Sequence, residues 1–469
     1  MEQNQNTLKH EFKYAWDAMD ETAREECMVI SNDYKNFLDL GKTERESARE
    51  ILKRAKLEGY VDVETLISKG EKLEVGTKVY AMNRDKAILL FHIGSKPLKE
   101  GIHIVGSHID APRLDLKPFP LYEDSGLAFL KTHYYGGIKK YQWTATPLSI
   151  HGVVFKKGGE KVDVVIGESE EDPIFAITDL LIHLSKDQMA KTLGEGIQGE
   201  TLNVLIGHNS IDDKEAKDRV KTMVLNILNE KYGIVEADFL RAEFEIVPSG
   251  KARDLGLDRS MISAYGHDDR VCSYAGLKAM LELKDLQTTA CGMFMDKEEV
   301  GSNGNTGSES RYFENVLAEL IALQEGQYND LLLRRSLSKT KVLSGDVGAA
   351  YDPNYASAYD KSNSAMFGKG VQLVKYTGAR GKSGCNDANA EFLSEVTDLF
   401  EDNGVVWQIG ELGKIDQGGG GTIAYILANA DAEVVDCGVP VLSMHAPYEI
   451  ISKADLYMTY KAYYSFLNR

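Results

Sequence analysis

Cysteine is scarce in this 469-residue chain: Cys27, Cys272, Cys291, Cys385 and Cys437 form an odd, scattered set. With no Cys-x-x-Cys pair among them, neither a disulfide framework nor a structural zinc knuckle is expected. Cys272 and Cys291 lie among apolar residues and read as plain core cysteines. Long apolar runs are missing too, since no stretch approaches the roughly 18 residues of a membrane span. The start, Met1-Glu2-Gln3-Asn4-Gln5-Asn6-Thr7, lacks the basic and then apolar order of a signal peptide. The cytoplasm is therefore the expected compartment. Positive charge is in deficit: 54 Lys plus Arg stand against 72 Asp plus Glu, a formal net charge of −18. A field of that sign repels phosphate backbones and anionic lipid, so neither nucleic acid nor a membrane is an expected partner.

Nucleotide and serine-hydrolase signatures are absent as well. Gly378-Ala379-Arg380-Gly381-Lys382-Ser383 hints at a phosphate loop, but that pattern needs glycine five positions before Gly381, where Tyr376 stands. Gln417-Gly418-Gly419-Gly420-Gly421 is not the spaced glycine pattern of a dinucleotide fold, and reads instead as a mobile loop that lets backbone approach a substrate. There is no Gly-x-Ser-x-Gly and no fixed-period repeat, which removes solenoids and propellers.

What remains is the make-up of a folded protein, 43% hydrophobic and 27% charged. At roughly 150 residues per domain the length suits about three domains, or one large domain carrying an insertion. The first sixty residues read as helical: Thr43-x-x-Glu46 is a capping-box pattern, Ala48, Ile51, Leu52 and Ala55 recur at helical spacing, and Gly59 sits where a helix stops. From Lys78 the apolar runs Val79 to Met82 and Ala87 to Ile93, split by Asn83-Arg84-Asp85, predict a hairpin, and Ile102 to Val105 a buried strand. Residues 113 to 254 differ in texture, with Gly136-Gly137, Gly158-Gly159, Gly167 and Gly199 punctuating alternating stretches such as Val162 to Ile166. Beyond Asp258 strands and helices alternate: helix over Ala275 to Leu283, strand over Thr289 to Met295, helix over Phe313 to Gln324, strand over Val439 to Ser443. Such alternation predicts an α/β fold with a largely parallel central sheet flanked by helices, and the glycine-rich stretch a separate unit.

Five segments each place a metal-competent side chain just after an apolar run. They are Gly106-Ser107-His108-Ile109-Asp110, Gly266-His267-Asp268-Asp269-Arg270, Met295-Asp296-Lys297-Glu298-Glu299, Ser344-Gly345-Asp346 and Ser443-Met444-His445. At least four stand at the C-terminal end of a predicted strand, where open α/β sheets bind ligands. Imidazole nitrogen and carboxylate oxygen suit borderline divalent metals, and two histidines with three carboxylates hold a pair of ions if one carboxylate bridges. His108 and Asp110, two apart on an extended strand, point to one side, so the aspartate can orient the imidazole. Of the adjacent Glu298 and Glu299, one can face a metal while the other reaches the attacking water.

In this order the segments resemble the aspartyl aminopeptidase and vacuolar aminopeptidase I family of two-metal exopeptidases, from Gly106-Ser107-His108-Ile109-Asp110-Ala111-Pro112-Arg113-Leu114 to Ser443-Met444-His445-Ala446-Pro447-Tyr448-Glu449. The resemblance implies that Asp268 bridges two divalent ions, with His108 and Asp346 completing one site and Glu299 and His445 the other. It implies Glu298 as general base, Asp110 as the group orienting His108, and His183 as a residue reaching a neighbouring subunit's active site. Lys375 matches the position where the family sets a lysine against an acidic substrate side chain. The ions are expected to be zinc, with cobalt and manganese suited to the same ligands. The family's architecture implies a metallopeptidase domain, residues 1–112 and 255–469, interrupted by a smaller dimerisation domain over 113–254, and a homo-oligomer, a dodecamer built from dimers. Peptides are the implied substrates, losing their N-terminal residue.

The sequence departs from the aspartyl aminopeptidase pattern at Asp269-Arg270, where those enzymes commonly carry asparagine and an apolar residue, so an acidic preference has a rival in a preference for neutral residues. A related deacylase or carboxypeptidase could use the same metal set, and a non-catalytic scaffold is disfavoured because every expected ligand and the base are present.

Overall fold

The computed structural model describes residues 8–469. Its centre is a nine-stranded sheet in the order Val61–Asp62, Lys78–Asn83, Ala87–His92, Ala290–Met295, His103–His108, Lys341–Ser344, Glu433–Gly438, Val371–Val374, Trp407–Ile409. The four strands from Ala290–Met295 to Glu433–Gly438 run parallel to one another. They read as continuous apolar runs because both faces are covered, and successive residues alternate between two cores. Val105, Phe294 and Leu343 pack on one side with Phe37, Tyr274 and Phe466 from the helices Glu21–Leu40, His267–Glu282 and Lys453–Leu467. Ile104, Met293 and Val342 pack on the other with Leu66, Leu317 and Leu320 from Val63–Lys69 and Tyr312–Glu325.

Local signals in the sequence account for several boundaries. Thr43 and Glu46 close a reciprocal capping box on the helix Glu44–Leu57, a device worth roughly 0.5–2 kcal/mol. The hairpin of Lys78–Asn83 with Ala87–His92 turns through Arg84 and Asp85, at φ 54° and 60°, the left-handed pair that matches strand twist in a tight hairpin.

A second sheet is antiparallel throughout, in the order Lys161–Ile166, Leu148–Phe155, Ala242–Pro248, Arg113–Asp124, Leu127–Tyr135, Val204–Gly207. It has its own core around Leu114, Trp143, Leu148, Val204 and Phe244, partly roofed by the helix Arg219–Tyr232. A third, smaller sheet joins Arg253–Leu255, Met261–Ala264, Glu449–Ser452, Pro440–Leu442 and Gly348–Ala349. The expected boundary at 254 thus falls inside a strand that pairs with Met261–Ala264.

The strand expected over Val439 to Ser443 forms, over Pro440–Leu442. Pro440–Leu442 belongs to the third sheet, and the central-sheet strand is the run just before it, Glu433–Gly438. Two apolar runs adjoin here, and the chain changes sheet between them at Gly438, where a β-carbon would overlap the Asp346 carbonyl. The apolar run at Leu180 to Leu184 forms no long helix. Only Ile182–Leu184 forms a single turn, and Leu181, Ile182 and Leu184 are exposed. Among the described residues, no helix is long and apolar enough to cross a membrane.

Candidate metal centre

Three central strands deliver site residues at their C-terminal ends: His103–His108 ends on His108, Ala290–Met295 leads to Glu298 and Glu299, and Lys341–Ser344 to Asp346. The third sheet supplies the others. Met261–Ala264 feeds the turn before Asp268, and Pro440–Leu442 feeds His445. The turn at Gly266 has φ 73°, and its open side is filled by the Arg270 guanidinium, which any β-carbon there would overlap. Arg270 is fully buried, donates to the carbonyls of Gly266 and Gly41, and lies 4.8 Å over the Tyr265 ring. Asp269, equally buried, accepts the His108 N–H at 3.3 Å. The departure at Asp269-Arg270 therefore sits in the framework behind the site, not in its cleft.

Asp268 stands between the two histidines. Its Oδ1 lies 3.2 Å from His108 Nε2 and its Oδ2 3.2 Å from His445 Nε2. Each histidine has a further carboxylate at hand: Asp346 Oδ1 is 3.8 Å from His108 Nε2, and Glu299 Oε2 3.5 Å from His445 Nε2. Glu298 Oε2 also lies 3.8 Å from His108 Nε2. Both imidazoles are held from behind. His108 Nδ1 faces the Asp110 carbonyl at 3.1 Å and carboxylate at 3.2 Å, and His445 Nδ1 faces the Gly137 carbonyl at 2.8 Å. Each Nδ1 therefore keeps its proton, and each Nε2 is the atom aimed into the pocket, able to offer a lone pair once its own proton leaves.

The electrostatics are those of crowded, dry carboxylates. Burial, reinforced by Asp346, Asp110 and Asp268, pushes Glu298 up to about 8. Burial and Asp268 lift Glu299 well above the carboxylate range, and burial with Asp268 also raises Asp346. Burial opposes charge on the histidines, yet Asp268 and Glu299 hold His445 up to about 10, and Asp110, Asp268 and Asp346 hold His108 well above its ordinary value. This excess of buried negative charge is what bound cations would neutralise, displacing the imidazolium protons as they do so.

The residues fit a metal. His108 Nε2, Asp268 Oδ1 and Glu299 Oε1 are buried without hydrogen-bond partners among the described residues. Two groups, His108 with Asp268 and Glu299, and His108 with Glu298 and Asp346, bring their donor atoms within 4.8 Å of one another. An all-imidazole and carboxylate set suits zinc and its neighbours.

Beside this cluster opens a cleft of about 370 Å³. Val347, Val374, Leu412, Ile415 and Met444 give it apolar wall, Arg380, Lys382 and Lys414 bring positive charge, and Gly418 to Gly421 bring backbone close. Lys375 is not in this lining. Its ammonium pairs with Asp387 at 2.6 Å, and Lys382 shares that carboxylate at 2.9 Å. His183 stands in the exposed turn Ile182–Leu184, apart from this chain's own cluster. His267, in the same segment as Asp268, turns away: it accepts from Tyr34 at 2.7 Å and donates to the Ile262 carbonyl at 3.2 Å, and burial presses it down to about 3.

Sequence reasoning missed Glu449, whose buried carboxylate accepts the His445 N–H at 2.7 Å and the Asp268 N–H at 3.0 Å. It closes the Ser443 to Glu449 motif, four residues from a metal-competent histidine, which is the signal that could have marked it. Tyr135 and Gly137 were missed as well, because only strand pairing carries them to the site.

A twisted sheet that gathers histidines and carboxylates at the ends of its parallel strands, beside an open cleft, defines a metal-dependent hydrolase. Residues 37–467 match the family model described as aminopeptidase I zinc metalloprotease (M18). The chain belongs to this family and is an aminopeptidase, a metal-dependent hydrolase of N-terminal residues. A probable M18 family aminopeptidase 1 of Clostridium acetobutylicum is 52% identical over 99% of both chains. The crystal structure of an M18 family aminopeptidase from Thermotoga maritima, 45% identical, superposes with a TM-score of 0.94 over 98% of this chain and 100% of its own. The S. cerevisiae mApe1 dodecamer structure, 20% identical, shares the fold at a TM-score of 0.75 over 93% of this chain and 96% of its own.

Proposed function

We propose that the chain removes N-terminal residues by a two-metal mechanism, with Asp268 shared between the ions, His108 and Asp346 completing one site, and Glu299 and His445 the other. The observation that carries this reading is Asp268 itself, each of whose oxygens faces one histidine at 3.2 Å. Two bound zinc ions would supply Lewis acidity, making water nucleophilic near neutral pH and polarising the scissile carbonyl. Glu298 takes the proton of the attacking water and passes it to the departing amine, a role that suits a carboxylate raised toward neutrality by a dry site. Asp110 fixes the tautomer and orientation of His108.

For the substrate, the apolar walls of the cleft, together with the diversion of Lys375 onto Asp387, favour a neutral N-terminal side chain. A second reading, an acidic side chain, is supported by Arg380 and Lys382 in the lining. The residues around the second sheet, 113–254, serve as a dimerisation unit in a larger homo-oligomer. In support, Ile182, Leu184, Met189 and Leu193 stand 66–71% exposed on one excursion of that unit, an apolar patch of the kind that marks an interface. His183 lies within it, consistent with a role in a neighbouring subunit. The S. cerevisiae relative is a dodecamer. Light scattering that returned a monomer would remove the assembly and the role of His183 with it.

The deciding experiment measures kcat/KM on aminoacyl substrates from Asp and Glu through Leu and Met to Lys, free and N-acetylated, after reconstitution with Zn, Co or Mn. Turnover confined to free amines supports the reading. Hydrolysis of the acetylated series would transfer the site to a deacylase, and absence of turnover with every metal would end the catalytic proposal.

A further inference from the structure

Tyr135 ends the strand Leu127–Tyr135 of the second sheet, outside the scaffold that carries the metal-ligand candidates. Its hydroxyl nevertheless donates to Asp110 Oδ2 at 2.8 Å. The same oxygen accepts the Glu299 N–H at 3.2 Å, while Asp110 Oδ1 accepts the Glu298 N–H at 3.1 Å and faces His108 Nδ1 at 3.2 Å. One carboxylate thus collects four donors: two from ligand candidates, one from the general base and one from the other sheet. We propose that Tyr135 is a positioning residue for the metal centre, fixing the Asp110 carboxylate and through it His108, Glu298 and Glu299.

Three features tie the tyrosine to that task. Arg113, its cross-strand partner, lays its guanidinium 3.9 Å over the Tyr135 ring. Arg113 is itself 6% exposed and held by Glu44 at 3.2 Å, Asp115 at 2.8 Å and Glu245 at 3.4 Å, so the ring is clamped by a group that cannot swing. The next two residues touch the same centre. Gly136, at φ 72°, packs where a β-carbon would come within 3.3 Å of Glu299 Oε2, and the Gly137 carbonyl receives the His445 Nδ1–H at 2.8 Å. The end of one strand of the second sheet therefore braces the outer side of both candidate ion sites. Without the hydroxyl, Asp110 Oδ2 keeps a single donor in a buried setting, and the carboxylate is free to tilt away from His108.

This inference rests on the two-metal reading, and its test separates the two. Zinc affinity is measured by competition with a chromogenic chelator, alongside kcat and KM, for the wild-type chain and Tyr135→Phe, which keeps the ring under Arg113. The expected result is zinc retention weakened by roughly 10–100-fold, kcat reduced, and KM little changed. Equal affinity and equal kcat in a wild-type background that binds zinc would overturn the positioning role alone. A wild-type chain that neither binds zinc nor hydrolyses peptides would instead defeat the functional reading. Should Tyr135→Phe not fold, Arg113→Lys keeps the charge facing Glu44 and Glu245 but loses the planar group over the ring. It should shift zinc affinity in the same direction by less, and an unchanged value would overturn the role equally well.

Discussion

Oδ1 of Asp268 lies 3.2 Å from Nε2 of His108, and neither of these buried atoms has a hydrogen-bond partner among the described residues. The remaining oxygen of Asp268 faces His445, so one side chain stands between both histidines, as the proposed bridging role requires. Asp268→Ala should therefore lose both ions, whereas Asp346→Ala and Glu299→Ala should each lose chiefly one. Metal-to-protein ratios by atomic emission after dialysis check this: about two in the wild-type chain for a site of this kind, near zero in Asp268→Ala, intermediate in the others. A tightly retained full complement in Asp268→Ala would remove its bridging role.

Glu298 differs from the ligand candidates in its proposed role rather than in its surroundings. Its backbone N–H is anchored on Asp110 while burial and neighbouring carboxylates push the side chain up to about 8. Glu298→Gln keeps the shape and removes the proton acceptor, so metal content should persist while kcat falls by about 10²–10⁴-fold. Near-normal turnover in a fully metallated variant would assign the base elsewhere.

Much of the centre was legible because it is local: His108, Glu298 and Asp346 follow apolar strands directly, and strand ends are where α/β sheets expose side chains. What escaped depends on pairing across long separations. Tyr135 reaches Asp110 only because Leu127–Tyr135 pairs with Arg113–Asp124, a register no local pattern encodes. Glu449 matters through two backbone N–H groups, one of them 181 residues away in sequence. The run at Val439 does form a strand, but two valine-rich segments adjoin, and which sheet each joins is decided by the close approach of Gly438 to Asp346. Lys375 carries the expected residue type, but Asp387 competes for its charge.

The contact between the helix Glu44–Leu57 and the second sheet should make stability depend on pH. His151, 3% exposed, sits between Glu46 Oε1 at 2.8 Å and Glu168 Oε1 at 3.0 Å. Burial pulls its pKa down, but hydrogen bonds to Glu168 and Glu46 outweigh this and raise it. A raised folded pKa means the imidazolium stabilises the fold fully below the ordinary histidine value and loses that contribution as pH climbs through the folded value. Charge-assisted hydrogen bonds are worth about 1.5–3 kcal/mol each. In chelator, to silence the metal centre, the Tm gap between the wild-type chain and His151→Gln should be widest near pH 6 and close progressively above it. A gap that widened with rising pH would reverse the assignment.

Specificity separates two lysines that share one aspartate. Lys375 and Lys382 both pair with Asp387, at 2.6 and 2.9 Å, but only Lys382 lines the cleft, stacked 3.7 Å over the Tyr376 ring. Pairs this exposed contribute about 0–1 kcal/mol to stability, so either lysine can be removed without unfolding the chain. Lys375→Ala should leave the ratio of kcat/KM for Glu and Leu substrates unchanged, because its charge is already neutralised outside the lining. Lys382→Ala, by contrast, should lower turnover of Glu substrates relative to Leu, since it removes a cation that an acidic side chain entering the cleft would meet. The measurement is a two-substrate comparison on all three proteins under saturating zinc. A collapse of the Glu-to-Leu ratio in Lys375→Ala with no effect in Lys382→Ala would mean that Asp387 releases Lys375 when substrate binds, and would restore an acidic preference read by Lys375.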